Sequence, residues 1–140
     1  MKPEFCWTTR IYYEDTDAGG IVYYANYLKF FERARTEWLR AAGIGQQALA
    51  ETEGVMFVVK STALDYHAPA KLDDELKLSV AVERLGRASV QFMQQAWRSG
   101  PQGRELLCTG RIKVGCVGIR ALRPVQIPER VLHKLPGRAA

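Results

Sequence analysis

The sequence predicts an α+β fold, one long helix packed on one antiparallel sheet. Two observations predict it. One run with helical period, "YLKFFERARTEWLRAA", is preceded by a strand-like run and followed by four more. The later runs are joined by short connections, which favour antiparallel neighbours. The expected organisation is one domain over residues 1–140, with a basic C-terminal extension at 120–140 that carries a short helix. A chain of 140 residues is large enough to bury roughly 68% of its unfolded surface.

Residues 5–13 are aromatic and rich in Thr, which favours a strand. Asn26 is suited to a helix N-cap and Gly43 to the position after the C-cap. At about 100° per residue, Tyr27, Leu28, Phe30, Phe31, Ala34, Trp38, Leu39, Ala41 and Ala42 occupy roughly half of the helical wheel. That stripe is wider than a surface helix needs, so the sheet is expected to wrap around it. Arg35 falls inside the apolar half, where its guanidinium must reach solvent or meet a carboxylate.

Beyond the helix the period changes. "VMFVVKSTALDYHAPA" reads as a long strand ended by Pro69. "ELKLSVAVE" alternates, placing Leu76, Leu78, Val80 and Val82 on one face. "ASVQFMQQAWR" and "ELLCTGRIKVGCV" are strand-like, with turn residues at 84–88 and 99–103. Pro128 can open a terminal helix through Leu135, which Pro136 and Gly137 would stop.

Composition narrows the function classes. No apolar run approaches the ~20 residues of a membrane helix. "MKPEFCWTTR" has no apolar h-region and reads as mature protein. Cys6, Cys108 and Cys116 lack a CxxC spacing. Eight residues of strand would hold Cys108 and Cys116 about 26 Å apart, so buried reduced thiols and a cytoplasmic location are expected. The net charge is +5. Most of it lies in Arg120, Arg123, Arg130, Lys134 and Arg138 against Glu129, which argues against a nucleic-acid face.

Several motif matches fail. Counted from Asp15, "DTDAGG" puts Gly19 and Asn26 at the fifth and twelfth positions, so it is no calcium loop. "GIGQQA" follows a helix instead of a strand, which excludes a dinucleotide turn. His67 and His133 have no companions at metal-ligand spacing and are read as structural or surface residues. No metal or redox cofactor is expected.

The informative stretch is "YEDTDAGGIVYYANY", residues 13–27. A strand-to-helix turn would explain its Asp and Gly residues. However, Asp15 and Asp17 have period-two spacing and would share one side of an extended segment, with Glu14 turned away. Gly19 and Gly20 permit close backbone approach, and a helix start supplies free N–H groups. A carboxylate beside oriented N–H donors suits hydrolysis of an activated carbonyl. A thioester fits because its thiolate leaves without an acid.

"YYEDTDAGGIVYYANYLKFFERARTEWL" and "LDYHAPAKLDDEL" resemble the hotdog-fold acyl-CoA thioesterases. The likeness is strongest to the Tol-Pal-associated group, with 4-hydroxybenzoyl-CoA thioesterase as a relative. The resemblance implies an antiparallel sheet wrapped around one long central helix, assembled as a homodimer or homotetramer. It implies Asp17 as the catalytic carboxylate, with the backbone N–H of Tyr24 polarising the thioester oxygen. It also implies acyl-CoA, or an acyl carrier protein thioester, as substrate. Tyr24 stands where the Tol-Pal-associated group usually has histidine. Arg84 and Arg87 flank a turn where the family often places CoA-phosphate contacts, with Ser89 beside them. Glu32 is a second acid candidate, and Arg35 a candidate partner for Asp15. The alternative is a non-catalytic hotdog module that binds acyl carriers or an envelope-associated partner.

Overall fold

The computed structural model describes residues 5–101 and 103–135. Strand β1 (Phe5–Arg10) is followed by a 3-10 turn (Tyr13–Asp15), helix α1 (Asn26–Ala41) and helix α2 (Gln46–Glu53). Strands β2 (Val55–Tyr66), β3 (Glu75–Leu85), β4 (Ser89–Gly100) and β5 (Gly103–Gly118) come next, then the short helix α3 (Glu129–Leu132). They form a five-stranded sheet in the order β1-β3-β4-β5-β2. Every pairing is antiparallel. The α+β arrangement is the one the periodicities predict. The "GIGQQA" segment, which sequence reading leaves without an element, opens α2.

The sheet presents one alternating face to α1. Along β4, Val90, Phe92, Gln94 and Ala96 are buried while their neighbours are half-exposed. Beside them lie Leu76, Leu78 and Val80 of β3 and Cys108, Ile112 and Val114 of β5. The helix answers with Tyr27, Phe30, Phe31, Ala34 and Leu39, and Trp38 meets Phe92 edge-on at 5.5 Å. Leu28 and Ala41 are exposed, so the buried stripe is narrower than the wheel suggests. Gly110 lets the helix come close: a Cβ there would stand 2.8 Å from Leu64 Cδ2 and 3.0 Å from the Phe31 ring.

Arg35 does neither thing that its position requires in principle. It is 9% exposed and bonds no carboxylate among the described residues; Nη1 donates to the amide Oε1 of Gln94 at 2.8 Å. Gln94, fully buried, returns its Nε2 to Phe31 O (3.1 Å) and Ser79 O (3.4 Å). A neutral amide thus links helix to sheet at the centre of the core. The proposed Asp15–Arg35 pair does not form.

Gly43 ends α1 with φ +85°, the left-handed value that favours glycine. Asn26 is not an N-cap. It is the first helical residue, and its side chain is spent elsewhere. The C-terminal segment is docked, not trailing. Ile127, Val131, Leu132 and Leu135 are buried, and Arg130 Nε meets Glu53 at 2.8 Å. α3 ends at Leu132, short of the expected Leu135. Pro136 and Gly137, expected to stop it, lie outside the described residues.

Cys108 and Cys116 are buried and Cys6 is exposed, which corrects the expectation of three buried thiols. Burial, with the Asp65 charge adding to it, pushes the Cys108 thiol up from 9.0 to about 12. Burial, then Cys108 and Tyr66, pushes the Tyr27 phenol up from 10.0 to about 12. Both groups hold their protons longer folded than unfolded. Their contribution is therefore whole below the unfolded values and is lost as pH rises toward about 12. Arg35, pushed down to about 10 mainly by burial, acts in the opposite sense only above that pH. The urea midpoint should fall between about pH 8.5 and 10 and fall less in Cys108→Ala. Equal slopes for the two proteins would refute this account.

Candidate functional site

The connection from β1 to α1 is built around two aspartates with opposite environments. Residues 13–15 form a 3-10 turn, so the period-two argument fails: Asp15 turns inward, 6% exposed, while Asp17 is exposed. Asp15 is a clamp. Its Oδ2 accepts from Tyr12 N–H at 2.8 Å. Its carbonyl accepts from Tyr23 N–H (2.9 Å) and from Asn26 Nδ2 (2.8 Å). This ties both ends of the 15–26 loop to one peptide group, and it is where the Asn26 side chain is used.

Asp17 sits at the neck of a small hairpin in which Thr16 bridges Val22. Its N–H donates to Ile21 O (2.9 Å) and its carbonyl accepts from Gly20 N–H (3.0 Å). Gly20 supplies the positive φ of +81° that closes the turn. Asp17 Oδ1 accepts from Gly19 N–H at 2.8 Å, and a Cβ on Gly19 would stand 3.2 Å from that oxygen. The clearance at Gly19 therefore serves the carboxylate itself. Oδ2 accepts no hydrogen bond among the described residues and is open to solvent or a ligand.

At the helix start, Tyr23 O accepts from Asn26 N–H at 2.8 Å. Tyr24 N–H, on the same peptide, has no acceptor among the described residues. A hydrogen bond at the carbonyl end polarises the N–H at the other end. Tyr24 O leaves the helical ladder, because Leu28 N–H goes to Ala25 O, and it accepts instead from Tyr66 Oη at 2.9 Å. The Tyr66 ring stands edge-on to Tyr24 (6.3 Å) and near Tyr27 (5.7 Å).

These tyrosines line a cleft of about 410 Å³ whose walls include Ile21, Val22, Tyr24, Tyr27, Tyr66 and His67. Asp17 is not one of its walls, but its N–H donates to the carbonyl of Ile21, which is. The Tyr23 phenol is held above its usual range first by its hydrogen bond with Tyr24 and, among the lesser causes, by the charge of Asp17. Tyr66 escapes sequence reasoning, and His67 is read there as structural or surface, because both come to the cleft from the far end of β2. The one available signal is their place in "LDYHAPA". His67 Nε2 lies 3.0 Å from Thr109 Oγ1, so its ring is anchored to β5.

The other candidates lie apart. Glu32 is exposed, further along α1, with Oε2 accepting from Thr36 Oγ1 at 2.7 Å. Arg84 and Arg87 are exposed and Ser89 half-buried at the β3–β4 turn. Ile21 bridges Lys71, just before β3 begins at Glu75. The eleven residues of β3 therefore separate Asp17 from Arg84 by roughly 30 Å. Within one chain the structure does not bring them together. Among the described residues no group of three His, Cys, Asp or Glu side chains is placed to hold a metal ion. No helix among them is long and apolar enough to cross a membrane.

An exposed carboxylate in the same loop as an unpaired N–H and an aromatic cleft can present a base or nucleophile to a carbonyl whose oxygen accepts a hydrogen bond from the N–H. Residues 12–135 match the thioesterase-like superfamily. The chain is 45% identical over 127 residues to the acyl-CoA thioesterase YbgC of Haemophilus influenzae, covering 91% of this chain and 90% of that one. It is 41% identical over 128 residues to the acyl-CoA thioester hydrolase YbgC of Escherichia coli O6:H1, covering 91% and 92%. A hypothetical protein from Aquifex aeolicus superposes with TM-score 0.85 at 27% identity, covering 94% and 98%. A mutant 4-hydroxybenzoyl-CoA thioesterase complexed with 4-hydroxybenzoyl-CoA superposes with TM-score 0.88 at 19% identity, covering 94% and 97%, a likeness of fold.

Proposed function

Given that the chain belongs to the thioesterase-like superfamily and is a thioester hydrolase acting on acyl-CoA, we propose that Asp17 and the N–H of Tyr24 perform the hydrolysis. The observation that carries this reading is the pairing of an open carboxylate oxygen at Asp17 with an unpaired N–H at Tyr24. The Tyr24 N–H receives the thioester oxygen as negative charge develops on it. Asp17 either attacks the carbonyl carbon, giving a mixed anhydride that water then cleaves to the acid, or takes a proton from an attacking water; in both cases the C–S bond breaks and CoA leaves as its thiolate. Acyl carrier protein thioesters present the same bond and are included in the substrate class.

A second copy of the chain completes the cleft. Tyr12, Tyr13, Ile21, Tyr23, Tyr24 and Leu28 are all exposed around Asp17, an apolar surface that calls for a partner. Strand β2 is a sheet edge with Val59 53% exposed. A homodimer or homotetramer would bring the partner's CoA-binding arginines, equivalent to Arg84 and Arg87, with Ser89, toward this cleft. That arrangement reconciles the separation within one chain with a role in holding CoA phosphates. The buried thiols favour a reducing cytoplasm. An association with the cell envelope rests on the motif likeness alone.

The test is thiol release from a panel of aliphatic and aromatic acyl-CoAs, with wild type beside Tyr24→Phe. The wild type should release thiol from at least one class. Tyr24→Phe retains the N–H donor, so kcat should stay within about threefold, whereas losing an oxyanion donor costs about 10²–10³. No release from any acyl-CoA or acyl carrier thioester would favour a binding module. A hundredfold loss in Tyr24→Phe would move the chemistry to the phenol.

A further inference from the structure

A second cavity, of about 250 Å³, lies under the other half of α1. It shares no lining residue with the tyrosine cleft. Its walls come from the later turns of the helix (Arg35, Trp38, Leu39), from Phe57 of β2 and Phe92 of β4, and from Val131 of α3. The cleft at Tyr24 sits instead on the first turn of the same helix, so the two open at opposite ends of the core.

The cavity wall is mostly apolar, with Arg35 on it and Glu32, Thr36 and Gln46 as its other polar residues. Arg35 is 9% exposed, and its one acceptor among the described residues is the uncharged Gln94 Oε1. No ion pair among those residues includes it. Glu32, the nearest acid on the helix, directs its carboxylate to Thr36 Oγ1, and Gln46 Nε2 donates to the same hydroxyl at 3.0 Å. Glu32, Thr36 and Gln46 are thus bonded to one another, and Arg35, which feels the Glu32 charge, forms no ion pair with it. A buried charge is tolerated when a partner of opposite sign can reach it, and a guanidinium fork matches a carboxylate in geometry.

We propose that this cavity binds a monocarboxylate with an apolar tail, its carboxylate on Arg35 and its tail among Trp38, Leu39, Phe92 and Val131. That ligand class is what thioester hydrolysis releases, so its source rests on the function proposed above; the binding does not. The site is separate from the reacting centre, which sits at Asp17.

Trp38 lines the cavity and reports occupancy through its fluorescence. Hexanoate, octanoate and decanoate are titrated into the full chain, with the matched primary alcohols alongside. The acids should bind about tenfold or more tightly than the alcohols, as expected for a charged hydrogen-bonded partner. Each added methylene should tighten binding about fourfold until the cavity is full. Arg35→Met should erase the preference of acid over alcohol, and Val131→Phe, which fills the space and leaves Arg35 in place, should weaken both. Thermal melts confirm that each variant is folded. If acids and alcohols bind alike, or if acid binding survives both variants unchanged, the proposal is overturned. No hydrolysis is measured, so a failure of the catalytic assignment would leave this result standing, and the converse.

Discussion

Asp17→Asn should lower kcat for acyl-CoA hydrolysis by roughly 10²–10⁴-fold, the range that a positioned base or nucleophile supplies. The substitution is nearly isosteric. Asn keeps an oxygen where Asp17 Oδ1 accepts from Gly19 N–H at 2.8 Å, so the hairpin turn persists. Because the side chain is exposed, the melting temperature should hardly move. What is lost is the charge on the open oxygen, needed equally for attack on the carbonyl and for deprotonating water. KM should change far less than kcat, since Asp17 does not form the wall of the tyrosine cleft. Full wild-type turnover in the Asn variant would remove Asp17 from the chemistry. The matching Asp15→Asn should behave differently. Asp15 is buried and accepts from Tyr12 N–H, so its loss should show first as reduced stability.

The largest effect on stability is expected at Gln94. Gln94→Leu keeps the volume but strips Arg35 of its only acceptor among the described residues, leaving a buried guanidinium unpaired at a cost of about 3–5 kcal/mol. It also removes the donor to Phe31 O and Ser79 O. Arg35→Met combined with Gln94→Leu should recover most of the loss, because an apolar pair of similar size needs no partner. A urea double-mutant cycle measures this, with the coupling expected to be strongly non-additive. Additive single and double variants would show that the two side chains are independent.

Local order was legible in the residues. The spacing of Phe30, Phe31, Ala34 and Leu39 marks α1, and Gly43 marks its end because a left-handed residue is needed there. Alternation marks β3 and β4. The density of acids and glycines in residues 13–27 pointed to the connection between β1 and α1, where Asp17 is exposed and Tyr24 N–H has no acceptor among the described residues. Within that loop the strand-like spacing of Asp15 and Asp17 misled, because a 3-10 turn places them on different sides.

What the chain determined by itself was therefore α1, the strands and their approximate limits, since these follow from neighbours within a few positions; α2, the 3-10 turn and the end of α3 were not legible in it. What only the tertiary structure decided was partnership. The pairing of β2 with β5 instead of β3 is one case. The Tyr66 hydroxyl on Tyr24, 42 positions away, is another. The amide of Gln94 on Arg35, 59 positions away, is a third. Periodicity tells a side chain to turn inward, but the group it meets there is chosen by register and packing between distant segments. For that reason the sequence demanded solvent or a carboxylate for Arg35, and the fold supplied a neutral amide and an apolar cavity.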